Sequence, residues 1–316
     1  MLLAASRCCL DEPAEKAVRE SPGEAAGPEA RGDGMTTLAI LHSTIRKEEK
    51  LILDEAGRRN VPLKLIDIRA EVFNPATFRA DFDVALERSV STVKGDYAAA
   101  FIESLGLPVV NTSEVARNCE DKFTTSLLLA RHGVPSPRFA MVFGLEEALR
   151  ALPDLGGFPV VVKPPLGSWG RLLAKVNDED ALEAVLEHKD VLGTPPQKAI
   201  YLQEYVRKPG RDIRAFLSGG ETFCAIYRES PHWITNTARG GTARNCPVSS
   251  ELGDICRRAS EAVGGGLLAI DLFEADGGLL VNEINHTMEF RNSETPTGVN
   301  ISAAIIDYCL QKARGR

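Results

Sequence analysis

A chain of 316 residues exceeds the usual size of a single hydrophobic core, so two or three lobes with a cleft between them are expected. With 44% hydrophobic and 26% charged residues the composition is that of a packed α/β protein, and the longest apolar runs, 155–163 and 266–273, fall short of the roughly 20 residues of a membrane span. A net charge of −7 argues against a nucleic-acid surface, and seven scattered cysteines without a Cys-x-x-Cys pair suit a reducing cytoplasm, with Cys224, Cys246, Cys256 and Cys309 read as small buried hydrophobes.

Residues 1–34 are rich in Ala, Glu, Pro and Gly and end at Gly32-Asp33-Gly34, just before Met35. They read as a disordered extension or a mis-assigned start; their seven acidic side chains disfavour an organelle signal. Residues 35–121 alternate strand 37–42, helix 45–59, strand 63–68 and weaker elements to 110, the pattern of a parallel α/β lobe. No Gly-x-Gly-x-x-Gly and no P-loop follows the first strand. A second lobe, 122–199, opens on an amphipathic helix running from Asp121-Lys122 to His132-Gly133, followed by the breaker Val134-Pro-Ser-Pro137. Strands 158–163 and 172–176 come next, then a helix 178–188 with Asp178 as its cap. A third lobe, 200–316, is expected to hold strands 200–205, 213–217 and 222–227, helices 250–262 and 300–311, and a late hairpin.

In that hairpin Asp276-Gly277-Gly278 separates two apolar runs. A turn centred on Gly277 sets Asp271 opposite Glu283, with Asn285 on the same face and Ile270, Leu272, Leu280 and Ile284 behind it. Carboxylates facing each other across a ladder repel unless a cation compensates. Two carboxylates and an amide oxygen suit Mg²⁺ or Mn²⁺ rather than zinc. Geometry alone leaves open a solvated face with the register one residue off.

Lys163 ends a buried strand and precedes Pro-Pro-Leu-Gly167-Ser168-Trp169-Gly170-Arg171, a glycine-bracketed loop able to close over phosphates. Alone, such a loop is also a common surface turn. Gln203, Glu204, Tyr205 and Val206 resemble an edge that offers backbone groups to an adenine, and Asp212 could reach ribose hydroxyls or pair with Arg211 or Arg214. Asn236-Thr237-Ala238-Arg239-Gly-Gly is a loop with one fixed cation, able to stabilise a transferring phosphoryl group.

Together, Glu120-Asp-Lys122, Val162-Lys163 with 167–171, Gln203-Glu-Tyr205, 236–241 and Asn282-Glu-Ile-Asn-His-Thr-Met-Glu-Phe290 resemble the ATP-grasp superfamily, in its branch of RimK-type and LysX-type ligases. The resemblance spans about 35–312 and implies a three-lobed α/β ATP-grasp fold that clamps ATP. It implies that Lys122, Lys163 and the 167–171 loop hold phosphates, that 203–206, Asp212 and Arg214 surround the nucleotide, and that Asp271, Glu283 and Asn285 hold Mg²⁺ or Mn²⁺. Arg239 and Arg228 would face the reacting groups, and Asn236, Thr237, Ala238, Thr297 and Gly298 would line the amino-acid pocket.

The activity implied is an ADP-forming carboxylate–amine ligation through an acyl phosphate. It joins α-aminoadipate to the C-terminal glutamate side chain of a small acidic amino-group carrier protein in lysine biosynthesis. Glutamate as acceptor, in arginine biosynthesis, a RimK-like protein glutamate ligase, and a regulatory ATP-binding protein stand as alternatives. A homo-oligomer is expected, and Arg207, Lys208, Arg211, Arg214 and Arg244 could attract an acidic carrier.

Overall fold

The computed structural model describes residues 35–167, 171–235 and 240–315; the expected extension 1–34 lies outside them. Strand β1 (Leu38–His42) is buried at every position, as a strand covered on both faces must be. Helix α1 (Lys47–Arg58) leads to β2 (Leu63–Asp67) and then β3 (Val84–Glu87); helix α2 (Thr92–Ser104) carries the chain on to β4 (Val109–Val110). The strands form a parallel sheet in the order β2-β1-β3-β4, the α/β lobe expected from the periodicity.

Helices α3 (Ser113–Glu120) and α4 (Lys122–Arg131) follow, and the Asp121 side chain caps α4 by accepting from Thr124 N–H at 2.8 Å. A second sheet then forms from β5 (Phe139–Val142), β6 (Val160–Lys163), β7 (Ala174–Val176) and β8 (Ile200–Glu204), antiparallel throughout, in the order β5-β8-β6-β7. Helices α5 (Leu145–Leu155) and α6 (Glu179–Leu192) cover it, and Asp178 caps α6 as expected, accepting from Ala181 N–H at 2.9 Å.

Two features of this lobe differ from the sequence reading. Strand β8, expected to open the third lobe, lies inside the second sheet, because Ile200 and Leu202 pack with Val160 and Val162 in one core. Helix α5 was not expected; Ala148, Leu152 and Leu155 form its buried side, and Pro153 stands in its last turn, ahead of the left-handed cap Gly156.

The third sheet is antiparallel, in the order β11-β10-β9-β12-β13: β9 (Arg211–Ser218), β10 (Glu221–Glu229), β11 (Thr242–Cys246), β12 (Leu267–Ala275) and β13 (Gly278–Asn285). Helix α7 (Ser250–Val263) lies between β11 and β12; α8 (Glu294–Thr297) and α9 (Ile301–Arg314) close the chain. Alternation of side chains divides the work of this sheet between its faces. Ile213, Ala215, Leu217, Ile270, Leu272 and Ile284 pack with α7, α3 and α4. On the opposite face, Phe216, Cys224, Ile226, Leu267 and Ala269 join Leu38, Ile40, Val84 and Leu86 of the first sheet, and Ile305 and Cys309 of α9, in one continuous core. The second sheet has a core of its own.

Cys119, Cys224, Cys246, Cys256 and Cys309 are free and buried; burial pushes the Cys224 and Cys256 thiols up to about 12. Among the described residues no helix is long and apolar enough to cross a membrane.

Candidate functional site

The apolar face of the third sheet becomes polar toward one end, where Asp212, Arg214, Arg228, Asp271 and Glu283 line a cleft also lined by Lys163 and Gln203 of the second sheet. The hairpin places Asp271 directly opposite Glu283, by a route other than the one expected. Its turn is the two residues Asp276-Gly277, since Ala275 pairs with Gly278, and an unbroken ladder would set Asp271 against Asn282. A bulge at Asn282 inserts one residue and restores the carboxylate pair. The bulge also corrects the expected core face: Leu280 pairs with Phe273, a cleft residue, and Val281 takes the buried position beside Leu272. Asn282 is a cleft residue the sequence reading missed; its Oδ1 accepts from Lys163 Nζ at 3.0 Å.

The repulsion expected between the two carboxylates is relieved by the chain's own cations. Arg214, the cross-strand neighbour of Asp271 on β9, donates from Nε to Oδ1 at 2.7 Å and from Nη2 to Oδ2 at 2.8 Å. Arg228 Nη2 lies 3.1 Å from Oδ2, and Lys122 Nζ is 3.6 Å from Glu283. Burial alone would raise the Asp271 carboxyl; the charges of Arg214 and Arg228 outweigh it and hold the group below the usual carboxylate range. Asn285 is in the cleft as expected, with Nδ2 donating to Ala269 O at 3.3 Å, which leaves its oxygen as the atom a cation can use. The described residues include no cluster of three or more His, Cys, Asp or Glu able to hold a metal by themselves. A pair of carboxylates with neighbouring amides fits a hard divalent cation that keeps phosphate oxygens and water as its remaining ligands.

Lys163 is 6% exposed; burial pushes its ammonium down to about 7, against the pull of Glu283. Lys122 Nζ donates to Gly167 O at 2.6 Å, and its backbone N–H to Pro165 O at 3.0 Å, so the start of α4 holds the loop that follows Lys163. Gly167 has φ +139°, which a side chain would strain. Arg171 is exposed and is not among the cleft-lining residues. Ser168, Trp169, Gly170, Asn236, Thr237, Ala238 and Arg239 lie outside the described residues.

Gln203, Glu204, Tyr205 and Val206 line the cleft where β8 ends. The Glu204 carboxylate is turned to Arg138, accepting from its backbone N–H at 2.9 Å and Nε at 2.6 Å, so this stretch offers backbone rather than charge. Lys175 Nζ sits 4.0 Å from the Tyr205 ring centre, and Trp233 meets the same ring edge-on.

Asp212 pairs with neither Arg211 nor Arg214. It accepts from Arg228 Nε at 2.6 Å and from the Thr235 hydroxyl, and Lys208 Nζ lies 3.6 Å away. The residue is 4% exposed and its carboxylate heavily engaged, which disfavours the ribose role. Arg211 binds Glu274 through both Nε and Nη2, and Arg244 reaches Glu229. Of the five basic residues expected to attract a carrier, Lys208, Arg211, Arg214 and Arg244 are therefore paired within the chain. Thr297 and Gly298 end α8 and do not line the cleft; the Thr297 hydroxyl donates to Ser293 O at 2.7 Å.

The first sheet contributes a wall that sequence reasoning missed: Arg46, Ser89, Val90 and Thr92 reach the cleft just beyond the carboxyl ends of β1 and β3, where α/β sheets place their ligands. Glu49 anchors this wall, accepting from Arg46 Nη2 and Arg88 Nε at 2.9 Å each, while Arg88 Nη1 donates to Met288 O at 2.9 Å. No short motif marks these residues; only the parallel topology brings them together.

Residues 119–309 match the RimK-like ATP-grasp domain, and residues 38–118 match the LysX preATP-grasp domain. The chain is 34% identical over 276 residues to the glutamate–LysW ligase ArgX of Sulfurisphaera tokodaii, covering 86% of this chain and 97% of that protein. It is 35% identical over 270 residues to the α-aminoadipate–LysW ligase LysX of Saccharolobus solfataricus, covering 84% and 98% respectively. Among solved structures, a RimK domain ATP-grasp protein from Sphaerobacter thermophilus superposes with a TM-score of 0.72 at 27% identity, over 87% of this chain and all of that one. D-alanine–D-alanine ligase from Bacillus anthracis, at 16% identity and a TM-score of 0.65, shares the fold. The chain belongs to the RimK-like ATP-grasp ligases, ADP-forming enzymes that use ATP and a divalent metal.

Proposed function

We propose that this ligase uses Mg²⁺-ATP to join the α-amino group of α-aminoadipate to the C-terminal glutamate side chain of a small acidic carrier protein. The observation that carries the reading is the pairing of Asp271 with Glu283 across the hairpin, in a cleft that also presents Lys122, Lys163, Arg214 and Arg228. Such a cleft matches a polyphosphate and its metal in charge, and relatives named as LysW ligases support the carrier as the other substrate.

In this reading Asp271, Glu283 and Asn285 hold the metal, which when bound screens the phosphate charge. Lys122 and Lys163 orient the phosphates, and the backbone at 204–206 meets the base. The carrier carboxylate attacks the γ-phosphorus and the bond to ADP breaks, giving an acyl phosphate. The amine attacks the acyl carbon, phosphate leaves with the C–O electron pair, and the amine loses its proton. Arg228, held in place by Asp212 and Asp271, is suited to neutralise charge on the transferring group, with Arg239 as the second cation.

The test is a reaction of chain, ATP, Mg²⁺, carrier and amino acid followed by intact-mass spectrometry. ADP release and a carrier heavier by one aminoadipyl residue are expected; AMP release or an unchanged carrier overturns the reading. A glutamate acceptor has equal support from the relatives, since the ArgX-type and LysX-type proteins are 34% and 35% identical. Competition of the two amino acids for one carrier decides between them.

A further inference from the structure

Asp271 and Glu283 face each other, yet their surroundings are unequal. The Asp271 side chain is 4% exposed, and three donor contacts reach its two oxygens: two from Arg214 and one from Arg228. A carboxylate offers about four lone-pair directions. On that count a divalent cation finds roughly one open direction at Asp271, on Oδ1, and meets two guanidinium charges as it approaches. Glu283 is 31% exposed, and its neighbouring cation is Lys122 at 3.6 Å, beyond hydrogen-bond length.

We propose that Arg214 is a positioning residue that couples metal binding to nucleotide binding: its guanidinium fork competes with a divalent cation for Asp271, and a polyphosphate relieves the competition. This rests on the reading of the cleft as a metal–ATP site. The argument is one of charge and shape. Metal alone adds two positive charges beside Arg214, Arg228, Lys122 and Lys163, whereas metal arriving with a polyphosphate adds net negative charge, which those four side chains favour. The phosphate oxygens also give the guanidinium groups a second acceptor, so that sharing Asp271 with the metal no longer leaves an arginine unpaired. Arg214 is suited to this role because it sits directly across the ladder from Asp271, and its planar fork matches both carboxylate oxygens, which a lysine cannot do. By linkage, the factor by which nucleotide tightens metal is the factor by which metal tightens nucleotide.

The test is titration of the full chain with Mn²⁺, with free Mn²⁺ read by electron paramagnetic resonance, in the absence and presence of a non-hydrolysable ATP analogue, the Mn²⁺ that the analogue chelates in a protein-free titration being subtracted. The parent protein is expected to bind Mn²⁺ weakly alone and roughly 5- to 150-fold more tightly with the analogue, the usual range of coupling. Arg214→Met is expected to bind Mn²⁺ alone more tightly than the parent and to lose most of that coupling. Arg214→Lys should move in the same direction by less, and carries the test if a melting curve shows that the methionine variant is unfolded. Folded variants that bind Mn²⁺ alone no better than the parent, with coupling intact, overturn the proposal but leave the metal–ATP site standing. A parent protein that binds neither Mn²⁺ nor the Mn²⁺–analogue complex overturns both.

Discussion

Arg88→Met tests how the first sheet is tied to the third. The guanidinium is 3% exposed and the Glu49 carboxylate 0%; Nη2 and Nε reach the same carboxylate oxygen, at 2.8 and 2.9 Å. Removing one member of a buried ion pair costs about 3–5 kcal/mol, because the remaining charge stays in a poorly solvating place. Arg46 still bonds Glu49 through Nη2 at 2.9 Å, so the lower end applies, about 3 kcal/mol, with the lost bond to Met288 O included. For a chain of this size that corresponds to a melting point lower by roughly 4–5 °C. The assay is thermal and urea unfolding of the parent, Arg88→Met, Glu49→Gln and the double variant. Glu49→Gln should remove the stranded charge, so the double variant should be more stable than Arg88→Met alone. A loss below about 1 kcal/mol for Arg88→Met, or strict additivity in the cycle, would refute the argument that burial makes this pair costly to break.

The same pair sets an acid limit. Burial raises the Glu49 carboxyl, but the hydrogen bond from Arg46 and the charge of Arg88 overcome it and hold the folded-state pKa below the ordinary carboxylate value. Its contribution is therefore complete above the unfolded-state pKa and is lost as pH falls through the folded one; the stability gap between parent and Glu49→Gln should narrow in acid unfolding curves. Gly266→Ala places a Cβ 2.1 Å from Asn111 Oδ1 at a backbone with φ +110°, and so combines overpacking with strain at the start of β12. It should cost about 2–5 kcal/mol by urea unfolding. Lys163→Met removes a buried ammonium whose pKa is already down to about 7. It should leave the nucleotide-free protein at least as stable by melting point, yet weaken ATP binding in calorimetry by on the order of tenfold or more, the worth of a charged hydrogen bond.

The elements that carry a strong period or a cap were legible from sequence: the parallel strand at 38–42, α4 behind Asp121, α6 behind Asp178 and the two arms of the hairpin. The pairing of Asp271 with Glu283 is also legible, because the turn lies half a residue before Gly277 and the bulge at Asn282 restores the register that a turn centred on Gly277 predicts. A bulge leaves no mark in hydrophobic alternation over so short a span, which is why the pattern points to Leu280 where Val281 is buried. Partnership among charges was the least legible. Asp212 has Arg211 beside it and Arg214 two places along, yet pairs with Arg228, because the antiparallel β9–β10 register sets residues 212 and 228 side by side. The Arg46 and Ser89 wall depends on two loops that only the tertiary fold brings together.

The division of the hydrophobic cores sets how the chain should come apart. The first and third sheets share one core through α9, so neither can lose its packing without exposing the other. The second sheet is built on residues 139–204 and keeps its core to itself. Native-state hydrogen exchange should accordingly resolve two cooperative units, with amides of β1 and β12 opening together at the highest free energy and those of β6 and β8 opening at a separate, lower one. Lys163 of the cleft belongs to the independent unit and the carboxylates to the joint one, so a ligand gripping both would merge the two transitions into one.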